Sequence, residues 1–481
     1  MGESGFNPVS GRAAKAVRRL ADQGLVIART WAQDLLLRRV VRNSTYLFIS
    51  NVISAVLSIV TANLLGVAGF GVLGIVTSFV ANVNRLFSFR MGDVVVRYVG
   101  AYLASADAAD EQKQRAAALI KAAGLLETVT SLAAFVVLVL LAPLGARLIV
   151  KDEAMAWMFV LYGLSILANF ATETATGVLQ VTNHFRSQAV LNVVQSVVAA
   201  LLIVWASVTQ AGLLGVLWAY LIGKILLGLG PIVLALRVLP KTLGKDWLRA
   251  PFALLPPLRE LAGFAISTNL SGTINVVARD SEVLWVGFFF SPLEAGYFKT
   301  ALAVVNLAIM PINPFIGATY PEITRSVAER QFARLRRLLR RVSLIAGAWT
   351  AMVMMGLALL GRAVLFEPWQ VAGHTFQVYE SAFLPALGLT LILLVGFGTA
   401  NTLFWNRPLL LAQNKAGVAL RVAFYSMMGK VLLTVWLVPV CGYQMEAVLM
   451  AAYFVLSVGA MVWLGLREVK RGEKLQQEAA G

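Results

Sequence analysis

The stretch LLGVAGFGVLGIV, residues 64–76, contains no charged residue and separates two longer apolar runs. The whole chain has this character, because 59% of its 481 residues are hydrophobic, 14% are charged and the mean hydropathy is +0.77. Soluble globular domains are about one quarter charged, so this composition indicates a membrane protein with several spans. One cysteine and two histidines leave no disulfide framework and no Cys/His cluster with metal-ligand spacing. We therefore predict no metal, no cofactor and no catalytic residue.

Apolar runs of membrane-spanning length recur along the chain. The hydrocarbon core of a bilayer, about 30 Å thick, needs roughly 20 residues of helix. The predicted spans are 44–66, 70–92, 118–142, 155–181, 188–208, 213–236, 262–290, 294–319, 342–366, 381–405, 416–438 and 445–466. They predict an all-α polytopic membrane protein with about twelve transmembrane helices.

The distribution of positive charge predicts the orientation. Of the 41 Lys and Arg residues, only Arg147, Lys151 and Arg362 fall in the predicted outer loops. Cytoplasmic loops carry the excess of Lys and Arg, so both termini are predicted on the cytoplasmic side of a bacterial inner membrane. The positive-inside rule then explains the net charge of +17, and no nucleic-acid partner is predicted.

Two basic segments flank or interrupt the spans. Residues 1–42 lack the apolar core of a signal peptide and are interpreted either as a helix on anionic lipid or as a partly disordered tail. ITRSVAERQFARLRRLLRR, residues 323–341, predicts a basic amphipathic helix at the membrane surface, with Leu335, Leu338 and Leu339 toward lipid. Direct binding of a substrate pyrophosphate is the alternative role for this second segment.

The two halves of the chain form an internal repeat. Residues 64–76 lie between the first and second spans, and FFSPLEAGYFKTA, residues 289–301, lies at the corresponding place between the seventh and eighth spans. Gly296 therefore corresponds to Gly71. Six spans per repeat and the same orientation predict two lobes related by an axis along the membrane normal, with the substrate path between them. The predicted divisions are an arm at 1–42, lobes at 43–237 and 261–466, a linker at 238–260 and a tail at 467–481.

Polar side chains at helical spacing predict a hydrated cavity. In the seventh span, Thr268, Gly272, Asn275, Arg279 and Glu282 are separated by four, three, four and three positions, which places them on one helix face. Other spans carry similar stripes, and the stripe residues assigned to the cavity are Asn51, Ser54, Ser58, Asn82, Asn169 and Asn275.

Charges inside spans are costly and mark candidate functional sites. The predicted substrate-binding cations are Arg85, Lys224, Arg279, Lys299 and Lys430. Three acidic residues, Glu173, Asp280 and Glu282, are assigned to ion coupling or to charge pairing. An ion pair that only locks helices together is the simpler role for Arg279 and Asp280.

Several segments resemble the O-antigen and exopolysaccharide flippases of the multidrug/oligosaccharidyl-lipid/polysaccharide (MOP) exporter superfamily. The likeness covers roughly residues 43–466. The segments are NSTYLFISNVISAVLSIVTANLLGVAGFGVLGI (43–75), GVLQVTNHFRSQAVLNVV (177–194), EVLWVGFFFSPLEAGYFKTALAVVNL (282–307) and ATYPEITRSVAERQFARLRRLLRR (318–341).

The resemblance implies a MATE-like bundle of two six-helix lobes that alternates between inward-open and outward-open states. Its implied cargo is a polyprenyl-pyrophosphate-linked oligosaccharide for cell-surface polysaccharide biosynthesis, with H⁺ or Na⁺ as the coupling ion. Membrane lipids and polysaccharide polymerase machinery are the implied partners. Arginine binds phosphate in a bidentate manner, which suits this cargo. The alternatives are a MATE-like antiporter for drugs or organic cations, and a membrane polymerase or ligase acting on lipid-linked sugars.

Overall fold

The computed structural model describes residues 35–104, 110–371 and 374–478, and this part of the chain is almost entirely helical. Most of the predicted arm, residues 1–34, lies outside the described residues, so both interpretations of it remain predictions. The side chain of the outer-loop residue His374 lies outside the description as well.

The α-helices that the structure describes follow one another with short connections. They are α1 Leu35–Phe87, α2 Met91–Tyr102, α3 Asp110–Gly145, α4 Ala156–Ala168, α5 Thr172–Val181, α6 Phe185–Val208, α7 Gly212–Leu243, α8 Leu258–Asn275, α9 Glu282–Phe289, α10 Pro292–Ile309, α11 Asn313–Ala328, α12 Phe332–Phe366, α13 Ala386–Thr402, α14 Asn406–Ala412, α15 Ala416–Cys441 and α16 Gln444–Glu478. A small antiparallel hairpin of β1 Trp369–Val371 and β2 His374–Phe376 follows α12. Two π-helical turns extend helices, at Ala146–Val150 after α3 and at Val276–Asp280 after α8.

Ten helices among the described residues are long and apolar enough to cross a membrane. One of them, residues 49–87, contains two predicted spans, because Gly66 has φ 64° and ψ 177° and divides α1 into two helical segments. A positive φ favours glycine, which has no Cβ to clash there. The seventh predicted span is the interrupted helix α8–α9. Counting these segments separately gives the predicted twelve, and the all-α polytopic fold is confirmed.

The prediction of one continuous helix over residues 262–290 was wrong. The π turn Val276–Asp280 widens the helix, and Ser281, at φ −98° and ψ 3°, separates the turn from α9. A π turn inserts an extra residue and rotates the residues that follow it. Arg279 and Glu282 differ in exposure: the Arg279 side chain is 46% exposed, whereas that of Glu282 is fully buried.

The helices pack as two lobes. In the first lobe α1 packs on α6, α2 on α5, and α6 on α7; in the second, α13 packs on α12 and α16, and α15 on α16. The predicted surface position of Leu335 and Leu339 was wrong, because both are buried with Val469 in a hydrophobic cluster of the second lobe. They occupy the first turns of α12, where burial against α16 removes their apolar area from solvent.

The lobes meet most closely where α1 crosses α10. A Cβ atom on Gly71 would overlap the carbonyl oxygen of Pro292, and one on Gly296 would overlap the carbonyl oxygen of Val67. Both glycines thus allow close backbone approach, as small residues do at helix contacts in membranes. The two residues that the repeat relates therefore lie against each other.

Candidate functional site

A polar cavity of about 350 Å³ lies between the two lobes, and we call it the central cavity. Helices α1, α4 and α7 form its wall in the first lobe. The π turn, α9, α10 and α13 form its wall in the second. Its lining residues are Thr77, Ser78, Ala81, Asn82, Arg85, Tyr162, Tyr220, Lys224, Arg279, Asp280, Glu282, Val283, Leu302, Asn306 and Phe397.

Asp280 holds two of the cavity's cations. Its Oδ2 lies 2.5 Å from Nη1 of Arg85, and its Oδ1 lies 3.4 Å from Nε of Arg279. The first pair joins the lobes, since Arg85 belongs to α1, and Asn82 adds a 3.2 Å hydrogen bond to the Asp280 carbonyl oxygen. Lys224 of α7 lines the same cavity. Three of the predicted substrate-binding cations therefore line this cavity, and two of them pair with Asp280.

Glu282, Lys430 and Glu446 form a buried charge cluster beside this cavity, which we call the buried triad. The Lys430 ammonium contacts Oε1 of Glu282 and lies 2.9 Å from Oε1 of Glu446. Thr434 donates a 2.9 Å hydrogen bond to Glu446 Oε2, whereas Glu282 Oε2 has no hydrogen-bond partner among the described residues. Two carboxylates share one ammonium, so the buried triad carries one surplus negative charge when every group is ionised.

The first lobe contains a separate polar pocket of about 200 Å³ near Glu173. Ser88 donates a 2.8 Å hydrogen bond to Glu173 Oε1, and Asn169 lines the same pocket. Glu127 accepts the backbone N–H groups of Glu173 and Thr174, at 2.8 and 2.9 Å. These groups lie in the first turn of α5, so Glu127 caps that helix and neutralises its dipole.

The second lobe contains a further pocket of about 330 Å³, which we call the carboxy-terminal pocket. Its polar lining residues are Asn275, Arg279, Asn406, Arg407, Tyr453 and Ser457. Arg279 is the one residue that it shares with the central cavity. The two spaces therefore meet at the π turn.

The remaining predicted site residues lie elsewhere. Lys299 is directed into the core, where its buried Nζ lies 4.3 Å from the centroid of the Phe70 ring and has no hydrogen-bond partner among the described residues. Asn51, Ser54 and Ser58 belong to the first segment of α1 and are not among the lining residues of the central cavity. Ser54 Oγ lies 3.5 Å from Ser196 Oγ of α6. Our sequence reasoning missed Glu446 and Arg407. Glu446 stands at the edge of a predicted span, and Arg407 was explained as one of the loop cations that set the membrane orientation.

The comparisons with known proteins agree with this architecture. A family model described as "Polysaccharide biosynthesis protein" matches residues 37–327. The chain belongs to the polysaccharide biosynthesis protein family. This member is also similar to the inner membrane protein YghQ of Escherichia coli (strain K12), with 25% identity over 342 residues, which is 70% of this chain and 94% of YghQ.

Solved structures show where the fold of this polysaccharide biosynthesis family member belongs. An inward-facing multidrug resistance MATE family transporter of the MOP superfamily aligns with a TM-score of 0.64 at 13% identity, covering 88% of this chain and 96% of that one. The inward closed conformation of the lipid II flippase MurJ aligns with a TM-score of 0.64 at 14% identity, covering 88% and 87%. At these identities the likeness shows the fold alone. The MOP-superfamily fold and the polysaccharide family that the sequence indicated are both confirmed.

Proposed function

We propose that this protein moves a polyprenyl-pyrophosphate-linked oligosaccharide across the cytoplasmic membrane by alternating access of its two lobes. The central cavity is the observation that carries the proposal. It lies between the lobes, where a rocking motion would expose it to either side, and Arg85, Lys224 and Arg279 line it. The pyrophosphate supplies the negative charge that these groups bind best.

The sign of the charge favours this cargo over an organic cation. An exporter of organic cations needs a surplus of carboxylates in its cavity. Here the lining contains three cations, of which two pair with Asp280, and the second carboxylate, Glu282, contacts Lys430. A polymerase or ligase would need acid and base groups that converge on a reacting bond, whereas the cavity's carboxylates are held in ion pairs. This arrangement supports transport rather than catalysis.

Two acidic sites are proposed to couple transport to an ion gradient of H⁺ or Na⁺. With every group ionised, the buried triad holds a surplus negative charge that one bound cation would neutralise, and burial makes that charge costly without one. Glu173 in the first-lobe pocket is the second candidate. Both acids are placed where a change in occupancy can alter how neighbouring helices pack.

The proposed orientation places both termini and the 238–260 linker in the cytoplasm. The positive-inside asymmetry supports this, and the inner-membrane location of YghQ supports the same membrane for this chain. Lys299 and Lys430 leave the set of proposed substrate ligands, because Lys299 is buried against Phe70 and Lys430 is buried between Glu282 and Glu446. Polysaccharide polymerase machinery remains a predicted partner.

Transport of a fluorescent polyprenyl-pyrophosphate oligosaccharide in proteoliposomes tests the proposal. The parent should move the lipid across the bilayer, and Lys224→Gln and Arg279→Gln should each slow it at least about tenfold by removing a charge-assisted contact. Arg249→Gln is the matched control, since that side chain is 85% exposed on the linker and pairs only with Asp246 among the described residues. Rapid transport by both cavity variants would refute the role of the cavity. Export of organic cations without movement of the lipid would favour the antiporter.

A further inference from the structure

The carboxy-terminal pocket has a different charge from the central cavity. The second-lobe elements α8, α14, α15 and α16 form it together with the π turn and the end of α13. Two guanidinium groups line it, Arg279 on the π turn and Arg407 on α14, and its described lining contains no carboxylate. In the central cavity, by contrast, Asp280 already pairs with Arg85 at 2.5 Å.

Arg407 lines the carboxy-terminal pocket but not the central cavity. Its side chain is exposed and forms no ion pair within the part of the chain that the structure describes. Arg279 leans toward Asp280 at 3.4 Å but stays 46% exposed, so it can still bind a second anion. Two such groups suit a diphosphate, which offers several acceptor oxygens to planar donors.

The other lining groups select the kind of anion. Tyr453 and Ser457 offer hydroxyl groups, while Leu411, Leu420, Phe454 and Met461 make most of the remaining surface apolar. Inorganic diphosphate would leave that apolar surface without a partner, whereas the first isoprene units of a lipid would cover it. The volume of about 330 Å³ falls within the range of about 300–1,000 Å³ that is usual for small-ligand pockets.

We propose that the carboxy-terminal pocket binds a prenyl diphosphate through Arg407 and Arg279, as a loading site from which the diphosphate passes to the central cavity. Arg279 lines both spaces, so the anion keeps one ligand while it exchanges Arg407 for Arg85 and Lys224. This inference rests on the proposed function for its direction of transfer. Its binding chemistry is independent of transport.

The test is binding of farnesyl diphosphate to the purified full-length protein in detergent, measured by isothermal titration calorimetry. Arg407→Gln should weaken binding at least about tenfold by removing a charge-assisted contact, and Arg407→Lys should weaken it less because the charge remains. Arg467→Gln is the matched control, since this exposed arginine of α16 stacks on Trp463 outside the pocket. Farnesyl monophosphate, inorganic diphosphate and phosphatidylglycerol are the comparison ligands, and each should bind more weakly.

Each outcome decides between the loading site and its rivals. Equal binding by the parent and Arg407→Gln would overturn the site. Equal affinity for inorganic diphosphate would overturn the prenyl assignment, and effective competition by phosphatidylglycerol would assign the pocket to bulk lipid instead. Arg407-dependent binding without transport of the oligosaccharide would leave the site standing and refute the proposed function. If Arg407→Gln binds farnesyl diphosphate as the parent does and transports the oligosaccharide normally, the loading site is refuted and the proposed function stands.

Discussion

Replacing Lys430 by methionine tests the buried triad most directly. Methionine keeps an unbranched side chain of similar length and removes the ammonium that contacts Glu282 and Glu446. Both carboxylates then remain in a buried site, with one hydrogen bond from Thr434 as the polar contact to Glu446. We expect a large loss of stability, because a buried charge without its partner keeps its desolvation cost.

The distances set the size of the effect. At 2.9 Å, the attraction between Lys430 Nζ and Glu446 Oε1 is about 6 kcal/mol with an effective dielectric constant of about 20. Desolvation offsets part of this, and removal of one partner from a buried pair typically costs about 3–5 kcal/mol. One kcal/mol shifts the unfolding midpoint of a unit of 150–250 residues by roughly 2–4 °C. The midpoint of Lys430→Met should therefore fall by at least about 6 °C.

Thermal unfolding in detergent, followed by the loss of the monodisperse peak in size-exclusion chromatography, measures this shift. The matched control is Lys430→Met combined with Glu282→Gln and Glu446→Gln, which removes all three charges and should recover most of the lost stability. An unchanged midpoint in Lys430→Met would refute the reasoning. So would a triple variant that is no more stable than the single one.

Three further predictions concern other parts of the fold. Gly71→Ala should lower the unfolding midpoint by several degrees, because the new Cβ would overlap backbone of α10. The control Gly356→Ala has open space around it and should leave the midpoint unchanged or raise it slightly. Equal midpoints for the two variants would contradict the close contact of the lobes. Glu127→Gln should speed hydrogen exchange of the first amides of α5, since it weakens the cap, typically by about 1 kcal/mol; unchanged exchange would show that the cap contributes little. Asn63→Ala should make the β1–β2 hairpin region more sensitive to protease. The Asn63 side chain donates a 2.8 Å hydrogen bond to the Val378 carbonyl and accepts a 3.1 Å hydrogen bond from the N–H of Glu380. Equal cleavage rates of the variant and the parent would refute this anchoring.

The membrane explains why so much of the fold could be predicted. A chain within hydrocarbon must satisfy its backbone hydrogen bonds internally, so long apolar runs become helices with few alternatives. The glycines at positions 71 and 296 predicted a repeat, and the structure places their backbones in contact. Charge within an apolar span identified Arg85, Lys224 and Arg279 as candidates, and all three line the central cavity.

Local breaks and long-range pairs could not be predicted in the same way. Periodicity assumes an unbroken helix, so it predicted neither the π turn before Ser281 nor the full burial of Glu282 beside the half-exposed Arg279. Lys430 and Glu282 are 148 positions apart, and nothing local to either residue identifies the other as its partner. Arg407 was counted as a sign of topology, since a loop arginine beside a span has that explanation by default.

The contact between α1 and α10 has a consequence for the ancestry of the chain. In the repeat, Val67 corresponds to Pro292 and Gly71 to Gly296. Gly71 packs against the carbonyl oxygen of Pro292, and Gly296 packs against the carbonyl oxygen of Val67. Such a contact is isologous, the kind through which two identical subunits associate about a two-fold axis. Two copies of a half-length chain, inserted the same way up, would make it without any change. In a single chain the two halves can differ, so a charge such as Glu282, whose counterpart one repeat earlier is Leu57, can be present in one half alone.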